Sequence, residues 1–274
     1  LRYFISGTWE GERGPLKMPD SEVDSLLRIR DVSTIPPNQR NPNQLKRTGL
    51  RGNFNFALNP KTDLAISSGL ITMDNLLPQT GDNLQGVIGS ALFGTANPAA
   101  PNQWGFAPPR QGFSKEVTRS QHQFTNSANL NWWPISWIQT RATVGLDYIV
   151  WTDDAHVNAG EGCQICGIEW QGLRGINKYD NGKYSADLGA TANRNISNDF
   201  TSKTSIGVQW GRESRVATFN DARILPPGGS TIDAGAQKQS GEQTAEAVTL
   251  GAYLGQQFGW GHKLFVTGAI RRDE

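Results

Sequence analysis

Apolar and polar residues alternate along most of this chain, the period-two pattern of β-strands with one apolar face. Between 137 and 151, Ile138, Ala142, Val144, Leu146, Tyr148 and Val150 share one face with Thr140. Gln139, Arg141, Thr143, Gly145 and Asp147 share the other, which takes both charges. Between 120 and 132, Phe124, Ala128, Leu130 and Trp132 oppose Gln121, Gln123, Thr125, Ser127, Asn129 and Asn131. The same reading gives strands over 48–58, 64–72, 183–193, 200–210, 247–258 and 264–272. With Leu1 to Trp9 the pattern predicts about nine strands.

The connections alternate in length. Four are short: Asn59 to Asp63, Pro134 to Ser136, Arg194 to Asp199 and Gly259 to Lys263. Pro, Gly, Asn and Asp supply their turn geometry. Four are long, at roughly 10–47, 73–119, 152–182 and 211–246. Strict alternation puts every long loop at one end of the sheet and every tight turn at the other, as in outer-membrane barrels. Aromatic residues cluster near both strand ends. Trp132, Trp133 and Trp137 crowd one turn, and Phe258, Trp260 and Phe265 another. Phe56 and Phe200 sit beside the other two. Tyr148, Trp151 and Trp210 lie towards the loop ends. Two aromatic bands around an aliphatic stretch match the two interfaces of a bilayer.

A soluble sandwich also alternates, with its apolar face inward. Its strands typically run about 5 to 6 residues. Several strands here reach or pass the roughly 9 to 11 residues that a tilted strand needs to cross a bilayer. The expected fold class is therefore all-β, an antiparallel transmembrane barrel segment with long loops at one rim and short turns at the other.

Composition fits that expectation. Only 36% of the 274 residues are hydrophobic, and mean hydropathy is −0.49. No run approaches the roughly 20 apolar residues of a spanning helix. A barrel strand shows lipid only every second residue, so its mean hydropathy looks soluble. A net charge of +1 gives no reason to expect nucleic acid. The sequence opens on Leu1-Arg2-Tyr3-Phe4-Ile5 and closes on Ile270-Arg271-Arg272-Asp273-Glu274, strand-like at both ends. A partial barrel domain over 1–274 is expected.

The stretches Ala247 to Gln257 and Leu264 to Asp273, preceded by Ile224-Leu225-Pro226-Pro227-Gly228-Gly229 to Ser240-Gly241-Glu242, resemble a barrel hairpin and its external loop in SusC/RagA-type TonB-dependent receptors. Tyr3 to Gly7 and Arg47 to Gly69 resemble earlier strands of the same barrel. The resemblance implies a bacterial outer-membrane importer with a barrel of about 22 strands, plugged by an N-terminal domain. TonB would couple through that plug region, and a SusD-like surface lipoprotein would cover the external loops. The substrate would be a glycan or peptide, with outer-membrane lipid around the wall. The alternatives are a soluble carbohydrate-binding β module and a porin-like barrel without TonB coupling.

Enzymatic chemistry finds no constellation. Asp153-Asp154 sits at a strand end, where solvated acids are ordinary. Pro227-Gly228-Gly229 lacks the setting of a phosphate loop. No catalytic residue, metal site or cofactor is expected. Cys163-Gln164-Ile165-Cys166 is either a plain loop pair or a local disulfide of an oxidising compartment. Candidate substrate contacts are Trp104, Phe106 and Trp170, with Phe113 and Tyr179 as further loop aromatics, because sugar rings stack on aromatic faces. Packing of the loops is the plainer role for each. Asn83 to Phe93 reads as a short loop helix. Arg51, Arg141, Asp147, Lys183, Asp187 and Lys203 would line the lumen and pair with each other or with a plug.

A sheet with one wholly apolar face exposes a large adhesive patch to water. The chain is expected to aggregate in plain buffer and to stay dispersed in detergent micelles. Sedimentation in both media checks this, and a cooperatively melting monomer in plain buffer would contradict it.

Overall fold

The computed structural model describes residues 1–77, 86–95, 104–105, 107–164, 167–261 and 263–274. Among these described residues nine strands make one sheet, each paired antiparallel with its neighbour in sequence. They are β1 (Arg2–Arg13), β2 (Gln44–Asn59), β3 (Thr62–Leu77), β4 (Glu116–Ile135), β5 (Ile138–Val157), β6 (Leu173–Asn195), β7 (Phe200–Arg223), β8 (Gln237–Trp260) and β9 (Leu264–Asp273). Tight turns join β2 to β3, β4 to β5, β6 to β7 and β8 to β9. The long connections 14–43, 78–115, 158–172 and 224–236 all fall at the opposite end.

Register carries the alternation across strands. Residues paired directly across an antiparallel ladder point to the same face. One such row runs Leu64, Leu130, Ala142, Leu188, Val208 and Ala252. The next row on that face runs Ile66, Ala128, Val144, Ala186, Trp210 and Leu250. The adjoining residues face the other way, as in the row Arg51, Gly69, Thr125, Asp147, Lys183 and Glu213. Leu188 is 58% exposed and Val144 56%, so no described part of the chain covers the apolar face there. A soluble sandwich would bury these side chains under a second sheet. Here the small core sits among the loops instead.

Aromatic residues edge the apolar face at the turn end. Phe200 and Phe258 stack at 5.6 Å, with Trp132 and Trp260 on the same face. Towards the loops that face carries Tyr148, Tyr184 and Trp210. Trp151 does not join them. It pairs with Gln121 and Tyr179 on the polar face, one residue out of step with Tyr148 and Val150. Its assignment to the interface band is therefore corrected by parity.

The strands outrun their expected length, mainly at the loop end. β7 and β8 each have 24 residues. At about 3.3 Å per residue and a tilt of about 45°, such a strand rises roughly 55 Å, against roughly 25 Å for the apolar band of a barrel. Beyond that band both faces meet water, and the former apolar face turns charged. Arg212 pairs with Glu246 at 2.9 Å, Arg174 with Asp154 at 2.6 Å and Lys178 with Asp180 at 3.1 Å. Alternation of hydropathy ends there, while the hydrogen-bonded ladder continues.

An Arg at the middle of the apolar face must be drawn into hydrocarbon. Val208→Arg is expected to lower stability in lipid by about 2–4 kcal/mol. Ala247→Arg, on the polar face beside Glu213, is expected to cost less than ~1 kcal/mol. Denaturant unfolding in phospholipid vesicles compares the two.

Candidate functional site

Two surfaces can meet a solute: the cluster of long loops and the polar face beneath it. The loops have a core of their own. The first carries α1 (Asp20–Arg30) and α2 (Pro37–Arg40), the second α3 (Val87–Leu92) and α4 (Pro109–Gly112). In α1, Val23, Leu26 and Leu27 recur at helical spacing. Asp20 and Glu22 lie in its first turn and Arg28 and Arg30 in its last, each favourable to the helix dipole. Asp31, with φ of 50°, ends it in the left-handed region. Met18, Val23, Leu26 and Phe113 are buried together, flanked by Leu16, Leu27, Ile35 and Val87.

Polar contacts then tie loop to loop. Arg110 Nη1 donates to both carboxylate oxygens of the buried Glu22, at 3.2 and 3.1 Å, and the Arg110 backbone N–H donates to the second. Arg30 donates to the Gln39 side chain at 2.9 Å. Its Nη2 lies 2.7 Å from Glu161 Oε2, an ion pair by distance without hydrogen-bond alignment. Lys115 donates to Glu169 at 3.1 Å. The third and fourth loops join through backbone: Ile224 N–H donates to Gly172 O and Leu225 N–H to Gln171 O. Gly172 has φ of 95°, and a Cβ there would lie 2.8 Å from Leu225 Cβ, so only glycine fits this crossing. Lys17 above all, with help from Arg40, holds the exposed Asp20 carboxyl below the usual range, and Lys238 does so for Asp233. These small contributions are present above the ordinary Asp value and fade as pH falls below it.

The expected contact residues separate. Trp104 lines an apolar groove with Leu16, Val87, Pro108, Pro109 and Phe113, and its carbonyl accepts from Ser90 Oγ at 3.3 Å. Trp170 lies on the 3-10 turn Gly167–Gln171, and its carbonyl accepts from Gly160 N–H at 2.7 Å. Trp170 is not among the residues that line the groove beside Trp104. Phe106 lies outside those residues, as do 83–85 of the expected loop helix, whose observed part is Val87–Leu92. Phe113 is 3% exposed and packs mainly into the loop core. Tyr179 belongs to β6, not to a loop. Cys163 is disulfide-bonded, and Cys166 lies outside the described residues.

The polar face is largely self-paired. Arg141 meets Asp187 at 3.4 Å and Lys183 meets Glu213 at 3.1 Å. Gln209 donates to Asp187, and Gln123 and Thr125 donate to Asp147. Arg51 and Lys203 share this face. Asp153 and Asp154 point to opposite faces and bind Arg119 and Arg174 separately, so they form no catalytic or metal pair. No metal-holding cluster occurs among the described residues.

One feature was missed by sequence reasoning. Trp151 stacks on Tyr179 at 4.7 Å, and Phe219 meets Tyr179 edge-on at 5.8 Å. All three face the polar side, on β5, β6 and β7. Arg119 lies 5.9 Å from the Trp151 ring and is held by Asp153 at 2.6 and 2.8 Å. The available signal was parity: these aromatics fall in step with the polar residues of their strands.

No protein-family model and no curated protein matches the chain. Solved structures do. The RagAB peptide transporter superposes with a TM-score of 0.70 at 12% identity, over 86% of this chain and 28% of that one. The RagAB peptide importer in its open-open state gives 0.69 at 12%, over 85% and 28%. The ferric-catecholate import receptor Fiu from E. coli K12 gives 0.50 at 15%, over 84% and 37%. The sheet has a barrel-wall fold. At these identities the likeness shows fold alone, and the chain spans well under half of each of those proteins.

The loop cluster should behave as one body. Arg30→Gln is expected to loosen the first loop by about 1–2 kcal/mol and to speed protease cleavage within 14–43 by roughly tenfold. Exchanging the charges, Arg30→Glu with Glu161→Arg, is expected to recover part of the protection. Peptide mapping of timed digests measures both.

Proposed function

We propose that this chain is wall and external loops of an outer-membrane receptor that imports large solutes. In this reading residues 1–274 are part of a larger barrel domain, of about 22 strands as in the family it resembles. The observation that carries it is an exposed apolar band on one face of an antiparallel meander and a largely self-paired polar face behind it. The overlap with RagAB along 86% of the chain supports the same reading. The wall separates lipid from an aqueous lumen, and the loop core gives the outer rim a fixed shape.

Peptides or glycans are the proposed cargo, and the similarity to the RagAB peptide transporter favours peptides. The loop cluster is the proposed seat of a SusD-like surface lipoprotein. Trp104, Phe106 and Trp170 stay proposed as solute or lid contacts. Energy would come through TonB, acting on a plug that this sheet does not contain. The chain's own chemistry is that of binding and confinement, with no bond made or broken.

In a Gram-negative host, the full-length protein is expected in the outer-membrane fraction. Its loop 14–43 should be cut by protease added to whole cells. Peptide uptake through it should stop when TonB is deleted. A protein recovered in the soluble fraction, or uptake that persists without TonB, would contradict the proposal.

A further inference from the structure

Most of the polar face is built from Gln, Asn, Ser, Thr and paired charges. Gln121, Gln123, Thr125, Ser127 and Asn129 on β4 are typical. The rings of Trp151, Tyr179 and Phe219 break that pattern on three successive strands. Sheet formation does not require them, because the backbone ladder holds β5, β6 and β7 together. Ring contacts of this kind add only about 0.5–1.5 kcal/mol each.

A cavity of about 770 Å³ opens beside the first two rings. Its volume is in the range of small-molecule sites, roughly 300–1,000 Å³. Trp151 and Tyr179 form one side, and Asn181, Lys183, Arg215 and Gln243 supply polar groups. No Asp or Glu lines it among the described residues. Glu213 lies just outside, 3.1 Å from Lys183 and 3.9 Å from Arg215. Two cations around one carboxylate leave a positive charge over. Arg215 is the less engaged, with its side chain 66% exposed and its contact beyond hydrogen-bond length. Its planar guanidinium fits a carboxylate in two-point fashion.

In the importer reading, its height places the cavity on the path of the solute. Its rings lie level with Asp180 and Lys178 of the opposite face, above the apolar band and below the loops. We propose that Trp151, Tyr179, Phe219 and Arg215 form a lumenal subsite for solutes that combine a flat ring with a carboxylate, such as peptides ending in an aromatic residue. The subsite rests on the importer reading and adds the solute class to it. The ring of the solute lies against the aromatic strip, and its carboxylate meets Arg215 and the Asn181 and Gln243 amides.

The test uses the full-length protein in detergent micelles and isothermal titration with three peptides. They are alanyl-alanyl-phenylalanine, its C-terminal amide and trialanine. The first is expected to bind at least tenfold more tightly than the other two. Arg215→Gln, at an exposed side chain, should bring the acid down to the level of the amide and leave the amide unchanged. Tyr179→Leu should remove the preference for phenylalanine over alanine. Equal binding of all three peptides, no binding, or preferences unchanged in both variants would overturn the subsite. If the protein reaches the outer membrane and imports peptide yet shows one of those results, the subsite alone falls. If it never reaches that membrane, the importer reading falls with it.

Discussion

Hydrocarbon offers no hydrogen-bond partner to a peptide group, and the architecture follows from that. Each unmet N–H or C=O in the bilayer core costs several kcal/mol. An antiparallel ladder meets the constraint between neighbours, so consecutive strands pair without a crossover from β1 to β9. Once the ladder is imposed, side chains have two directions left. One face takes Leu, Val, Ile and the aromatic edges, and the other takes amides, hydroxyls and ion pairs. The fold needs no interior between sheets, because lipid takes that place.

The loops obey a different physics. Above the lipid they are in water and must bury apolar surface against one another to hold a shape. Met18, Val23, Leu26 and Phe113 do this across two loops. The Glu22–Arg110, Arg30–Glu161 and Lys115–Glu169 contacts extend the tie to a third. The long strand extensions lift this assembly clear of the apolar band and leave a wet, aromatic-lined stretch of wall below it.

Much of the wall was legible because a lipid-facing strand writes its parity plainly. The nine strands, the four tight turns and the side of the long loops follow from alternation alone. The outer halves of β6, β7 and β8 were not legible, since Lys178, Arg212, Glu242 and Glu246 erase the hydropathy difference between faces. Trp151 shows a subtler failure. Nearness to a strand end suggested a bilayer interface, yet its odd position in β5 sets it on the polar side with Asp147. The helix α1 carries acids at its start, bases at its end and apolar residues at helical spacing, within a long connection that shows no strand pattern. Phe113 shows why loop aromatics are poor site markers: the residue that looked available is the one that closes the core. The superposition on RagAB at 12% identity fits this picture, because parity and register, not particular residues, define such a wall.

The central claim is that one face of this sheet meets lipid and the other meets water. Single cysteines placed in turn at 203 to 215 of β7, with Cys163 and Cys166 replaced by serine, can carry a nitroxide label in lipid vesicles. The account predicts a two-residue period in collision rates. Labels at 204, 206, 208 and 210 should respond to oxygen, and those at 205, 207, 209 and 211 to a water-soluble nickel complex. From 212 onward both sets should respond to nickel. Uniform nickel accessibility along 203–211, or a period of 3.6, would contradict the wall.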